Sequence, residues 1–192
     1  MPTPKVIFLP GNSGCTTHEN WFPSVQTELE AAGLEVVAKT FPDPQLARES
    51  FWIPFIENEL KADENSILVG HSSGAIAAMR FAETHKIFGS VLVGTYHTDL
   101  GLDTEKAAGY FNRPWNWDAV RSNQRWTIIF ASQDDPWIPV GEPRFVHQQL
   151  GCEYHEFTNQ GHFGGDYVKP DFPELTLAIL NNLRGRKEVK ST

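Results

Sequence analysis

Gly70-His71-Ser72-Ser73-Gly74 is the stretch of this 192-residue chain best suited to covalent chemistry. A serine between two glycines, after an apolar run and before small residues, fits a strand–turn–helix that exposes the serine hydroxyl. Ser66-Ile67-Leu68-Val69 reads as the strand, and Ala75 to Ala82 as the helix. Such a turn is tight, and glycine at positions 70 and 74 removes side chains that would strike neighbouring backbone. Ser72 then stands at a helix N-terminus, where the dipole and unpaired N–H groups favour developing negative charge. The N–H of Ser73 can supply one half of an oxyanion hole. Ser73 is the alternative nucleophile, but it sits out of register with the two glycines. His71, inside the turn, is placed to touch a substrate.

A serine hydroxyl is a weak nucleophile until a base takes its proton. On this kind of scaffold the partners follow in the order serine, acid, histidine, each in a loop after a later strand. After the apolar run Trp126–Ala131 comes Ser132-Gln133-Asp134-Asp135-Pro136-Trp137-Ile138-Pro139. Asp135 is the preferred acid, ahead of a Pro-x-Ile-Pro turn, with Asp134 the close competitor. After Glu153–Phe157 comes Thr158-Asn159-Gln160-Gly161-His162-Phe163-Gly164, and His162 fits the base. The second oxyanion donor belongs after the first strand. There Leu9-Pro10-Gly11-Asn12-Ser13-Gly14 offers the N–H of Asn12 or Ser13. The expected chemistry is acyl transfer to Ser72 and then to water. An ester, thioester or amide of a small acyl group would serve as substrate. Trp21, Phe22, Trp52, Trp115, Trp117 and Trp137 could line an acyl pocket, although for any one of them core packing is the better explanation. One or two should reach the site, with Trp137 favoured and Trp115 also a candidate. Acidic side chains near the pocket, Glu49 or Asp43, could instead hold a substrate amine, which would make the activity aminopeptidase-like.

Other chemistries fit less well. No Gly-Lys-Ser/Thr follows the first glycine loop, so a phosphate cradle is not expected. The histidines and the two cysteines, Cys15 and Cys152, lack metal-ligand spacing, so neither metal nor cofactor is expected.

The elements that must position these residues alternate regularly. Apolar, β-rich runs occur at Val6–Leu9, Leu34–Lys39, Ser66–Val69, Ser90–Val93, Trp126–Ala131 and Glu153–Phe157. Several are apolar on consecutive residues, as strands buried on both faces are. Helix-like segments lie between them: Trp21–Ala32, Arg48–Ala62 with a break or start at Pro54, Ala75–Thr84, Pro143–Leu150 and Pro173–Leu183. Strand alternating with helix predicts an α/β fold with a mostly parallel sheet of about six strands. Residues 95–125 break the rhythm and are too long for a connector. They read as a pocket-covering excursion, a packed one or a lid, with a helix near Trp115–Arg121. Arg184 to Thr192 read as a flexible, solvated tail.

The chain length suits one domain, residues 1–192, which buries roughly 70% of its unfolded surface and needs no disulfide or metal. A net charge of −8 argues against nucleic acid and anionic membranes as partners. The apolar run near the N-terminus is too short for a signal peptide, and no run reaches the roughly 20 residues of a membrane span. A monomeric, cytoplasmic protein acting on a small molecule is the expectation.

The residues also resemble the retinoblastoma-binding protein 9 family of α/β-hydrolases, close to bacterial YdeN-like proteins. The likeness rests on Pro42-Asp43-Pro44, Ala47-Arg48-Glu49-Ser50, Gly70–Arg80 (GHSSGAIAAMR), Ala82-Glu83-Thr84-His85, Gly109-Tyr110-Phe111, Arg113-Pro114-Trp115, Asp134-Asp135-Pro136 and Gly161-His162-Phe163. It implies an α/β-hydrolase fold, serine hydrolase activity and a triad of Ser72, Asp135 and His162, favouring Asp135 over Asp134. One departure stands out. Where the vertebrate namesake carries an L-x-C-x-E segment linked to the retinoblastoma pocket protein, this chain reads Leu60-Lys61-Ala62-Asp63-Glu64. Alanine replaces the cysteine, and Leu60 at a helix end is expected to be buried, so that partner is not carried over. A binding or scaffolding role on the same fold is the alternative to catalysis.

Overall fold

A computed structural model describes residues 3–165 and 168–188, with side chains to residue 185. Six strands form one sheet: β1 (Lys5–Leu9), β2 (Val36–Val37), β3 (Ser66–His71), β4 (Gly89–Val93), β5 (Thr127–Ser132) and β6 (Glu153–Phe157). Their order is β2-β1-β3-β4-β5-β6, and every neighbouring pair is parallel. Among the described residues seven helices accompany them: α1 (Phe22–Ala31), α2 (Glu49–Asn58), α3 (Ser73–Ala82), α4 (Asp103–Ala108), α5 (Trp117–Ser122), α6 (Gly141–Leu150) and α7 (Pro173–Glu188).

The consecutive apolar runs have a simple cause. The four central strands are covered on both faces, so alternate side chains all meet protein. Ile7, Leu9, Leu68, Leu92 and Ile129 pack with α2, α3, α5 and α6 through Trp52, Ile56, Ile76, Val120 and Val146. Val6, Phe8, Ile67, Val69, Val91, Val93, Ile128 and Phe130 face α1 and α7 through Phe22, Val25, Leu29, Leu175 and Ile179. From β1 the chain goes outward to β2, then returns to place β3 on the other side of β1. The strand order therefore reverses between β1 and β3. The crevice beyond their carboxyl ends is where sheets of this type bind ligands.

Several boundaries differ from expectation for physical reasons. The Leu34–Lys39 run pairs over only Val36–Val37, because it lies at the sheet edge with one neighbour. Pro54 does not break its helix: α2 runs through it. The carbonyl of exposed Ser50, which loses its N–H donor, can turn to water instead. The last helix continues past Leu183 to Glu188. Residues 189–192 of the expected tail lie outside the described residues. The excursion contains α4, which was not foreseen, besides α5 near the expected helix.

Candidate active site

Ser72 joins β3 to α3 with φ 54° and ψ −120°, a backbone conformation that costs a non-glycine residue on the order of 1–3 kcal/mol. Its N–H is held by the Val93 carbonyl at 2.9 Å, which ties the turn to β4. A Cβ on Gly70 would collide with the backbone of Gly74 and Ala75. One on Gly74 would collide with the carbonyls of Leu9 and Pro10. The two glycines thus let the turn close on itself and let α3 press against the end of β1.

The loop after β5 carries the two aspartates, and they divide the work. Asp135 is the one that meets His162: His162 Nδ1 donates to Asp135 Oδ2 at 2.7 Å. Asp135 is 3% exposed and His162 12%. The other carboxylate oxygen of Asp135 accepts from the N–H groups of Trp137 at 2.9 Å and Ile138 at 3.0 Å. Asp134 instead braces the histidine loop. Its Oδ1 accepts from the Gly161 N–H at 3.0 Å and from Ser132 Oγ, and Ser132 Oγ accepts from the Gln160 N–H at 2.9 Å. The Ser132 hydroxyl holds the Asp134 carboxyl below the usual carboxylate range.

Beyond His162 the backbone is pinned twice more. Trp21 Nε1 donates to the Phe163 carbonyl at 2.9 Å. His71 Nε2 lies 2.7 Å from the carbonyl of His162. Burial and the neighbouring His162 push His71 down to about 3, so its ring stays neutral. The tautomer follows: Nε2 carries the proton and donates to that carbonyl. A neutral ring 4.8 Å from His162 also avoids opposing a positive charge there. Gly94, with φ +59°, closes the site from β4. An added Cβ would lie 3.2 Å from His162 Cε1 and 3.3 Å from its Nδ1.

A cavity of about 410 Å³ opens at the reversal point of the sheet. Ser72 and His162 line it, as do Asn12, Ser13 and His71. Trp137 and Phe22 are the two aromatics of the predicted set on its wall. Trp137 is 61% exposed, an apolar surface at the mouth. Among the described residues, no hydrogen bond takes up the N–H of Asn12 or Ser73. The Ser13 N–H, by contrast, donates to the Gln45 carbonyl at 3.1 Å. Of the two candidate donors in that loop, Ser13 is therefore committed elsewhere and Asn12 is available.

Trp115 is not on the cavity wall. Its ring covers the Arg80 guanidinium at 3.6 Å, and its Nε1 donates to the His97 carbonyl at 2.8 Å. The acids suggested for a substrate amine are also occupied, Asp43 by Arg48 and Glu49 by Arg113. Sequence reading missed Gly94, Tyr96 and Glu105. Gly94 could have been found as a glycine closing an apolar run. Tyr96 and Glu105 carry no local signal. The excursion itself is divided: Tyr96, Leu100, Leu102, Thr104 and Glu105 line the cavity, whereas Tyr110 and Val120 pack into the core beside α3. Among the described residues, no group of three His, Cys, Asp or Glu side chains could hold a metal ion, and no helix is long and apolar enough to cross a membrane.

Known proteins share this arrangement of strands and helices. The crystal structure of the ydeN gene product from Bacillus subtilis superposes with a TM-score of 0.84 at 22% identity, over 94% of this chain and 99% of that one. In sequence, YdeN of Bacillus subtilis is 26% identical over 170 residues, 84% of this chain and 86% of that protein. Serine hydrolase RBBP9 of Rattus norvegicus is 47% identical over 182 residues, 93% of this chain and 95% of that protein. The serine hydrolase family profile matches residues 6–178. With a match along nearly its whole length and the α/β-hydrolase fold beneath it, this chain belongs to the serine hydrolase family.

Proposed function

We propose that the chain cleaves a small acyl ester, thioester or amide through a triad of Ser72, His162 and Asp135. The observation that carries the reading is the 2.7 Å bond from His162 to Asp135, at the wall of the cavity that also exposes the strained Ser72. Asp135 fixes His162 with its Nδ1 protonated, which leaves Nε2 as the basic nitrogen. Ser72 Oγ attacks the acyl carbon as its proton passes to His162 Nε2. The oxyanion is held by the N–H groups of Ser73 and Asn12. The intermediate collapses, the leaving group departs with the proton from His162, and the acyl group remains on Ser72. Water, deprotonated by the same His162, then releases the acid. Asp135 stabilises the imidazolium and keeps its charge throughout.

The acyl group would rest against Phe22, Leu100, Leu102, Trp137 and Ile138. No cofactor is needed for these steps. The two free cysteines suit a reducing, cytoplasmic setting. Docking to the retinoblastoma pocket protein is left out, because Leu60 is 3% exposed and packs in the core.

A fluorophosphonate probe tests the assignment. Wild type should label and Ser72→Ala should not, with turnover of p-nitrophenyl acyl esters falling about 10⁴- to 10⁶-fold. Equal labelling of the two proteins would refute it. Asp135→Asn should lower kcat about 10⁴-fold, and Asp134→Asn far less, because it only braces the loop.

A further inference from the structure

One buried carboxylate lies behind the site without a part in the acyl-transfer steps. Glu105, on α4, is 5% exposed and borders the cavity. Its Oε1 accepts from Asn12 Nδ2 at 2.9 Å. Its Oε2 accepts from the Tyr96 hydroxyl at 2.7 Å. The Tyr96 oxygen in turn lies 3.3 Å from Ser73 Oγ. Because the single Tyr96 proton is directed at the carboxylate, the Ser73 hydroxyl is the donor in that last contact. Hydrogen bonds therefore run from Asn12 and from Ser73 toward one terminus, the Glu105 carboxylate. Those two residues are the ones whose backbone N–H groups are proposed to hold the oxyanion.

Nothing else in the local structure accounts for this convergence. Burial raises the Glu105 carboxyl above its usual range, and the bonds from Tyr96 and Asn12 oppose that rise. A carboxylate so placed carries a desolvation cost that an apolar residue would not. It has no cationic partner among the ion pairs of the described residues. What it does have is a grip on two loops, the turn after β1 and the start of α3, beyond Leu9 and Gly70, where the pairing of β1 with β3 ends.

We infer that Glu105 is a positioning residue for the oxyanion hole, fixing Asn12 directly and Ser73 through Tyr96. The inference rests on the acyl-transfer reading of Ser72. Glu105 thereby also ties α4, which contributes to the cavity wall, to the two donors. The hydrogen-bond geometry matters more than the charge. Glutamine at position 105 can direct its oxygen at Asn12 and its amide N–H at the Tyr96 oxygen, which keeps both contacts.

Steady-state kinetics on a p-nitrophenyl acyl ester, with fluorophosphonate labelling of wild type as the reference, tests this. Glu105→Leu should lower kcat about 10- to 100-fold, because a donor displaced costs less than one deleted. KM should stay within about threefold, since the ground-state carbonyl needs the donors less than the oxyanion does. Glu105→Gln should retain kcat within about threefold. Asn12→Ala, which keeps the backbone N–H and loses its tether, should lower kcat about tenfold. Combined with Glu105→Leu it should add little, since both changes remove one interaction. Wild-type kcat in Glu105→Leu or in Asn12→Ala, additive losses, or a glutamine variant as impaired as leucine would each overturn the inference and leave the triad standing. Should Glu105→Leu fail to fold, Asn12→Ala alone decides by the same criterion. A wild type that does not label at all overturns both readings.

Discussion

The turn that carries Ser72 and the excursion between β4 and β5 both press on α3, yet opposite means hold them. The turn is held by the absence of side chains. Gly70 and Gly74 let backbone come closer than any Cβ would allow, and Gly94 leaves room for the His162 ring where an added Cβ would sit only 3.2 Å from it. The far half of the excursion is held by one long side chain. Arg80, 2% exposed, donates to the carbonyls of Tyr110, Arg113 and Pro114, pairs with Glu83 at 2.7 Å and lies under Trp115. The first device is steric and tolerates no addition. The second is electrostatic and directional, and fails by subtraction. Reactive geometry here is secured by steric exclusion, and the core-packed half of the excursion by a buried cation.

Substitutions break the two devices in different ways. The largest effect is expected from Gly74→Ala, whose methyl meets the Leu9 and Pro10 carbonyls. Denaturant unfolding should show a loss of more than about 4 kcal/mol, or no folded protein. A variant that loses under about 1 kcal/mol would show that the turn is looser than its geometry says. Arg80→Leu comes next, at about 3 kcal/mol, since three carbonyls lose their donor and Glu83 its buried cation. That loss should be nearly constant from roughly pH 6 to 8, because a guanidinium does not titrate there.

His71→Gln sharpens the contrast through pH. In the folded chain His71 stays neutral to about 3, whereas in the unfolded chain an imidazole titrates near 6.5, so between these values the unfolded state binds the extra proton. The contribution is complete above about pH 6.5 and is lost as pH falls toward 3. Glutamine can still donate to the His162 carbonyl and has nothing to titrate. It should cost about 1 kcal/mol at pH 7, yet its melting temperature should fall less than wild type between pH 7 and 4. Parallel curves would remove His71 from the acid sensitivity of the turn. The smallest effect belongs to Trp137→Ala at the exposed mouth. Stability should change by under about 0.5 kcal/mol, while KM for acyl esters rises. An unchanged KM would take Trp137 off the substrate path.

The same contrast explains what could be read from the residues alone. The Ser72 turn was legible because its physics is local: glycine spacing, an apolar strand before it and small residues after it all act within twenty positions. His162 was legible from its order and its loop. The turn after Asp135 favoured it over Asp134, but neighbours in sequence could not say what each carboxylate holds. That depends on which carboxylate reaches across 27 positions to His162 and which to the Gly161 N–H. Ser13 looked equivalent to Asn12 until its N–H was found spent on Gln45. Trp115 looked like a pocket residue because nothing in the sequence marks Arg80, 35 positions earlier, as a buried cation needing a cover. Glu105 was invisible for the same reason: its partners, Asn12 and Tyr96, meet only after the strand order reverses.

The two ends of the sheet have a consequence for crowding. An open sheet invites strands from other copies at its unpaired margins. On one margin β2 offers only Val36 and Val37 to such a strand. On the other, β6 carries Glu153, His155 and Glu156, the last clasped by Arg144 at 2.6 Å. A chain with a core this apolar is thereby left with one margin too short and the other too charged to seed a fibre.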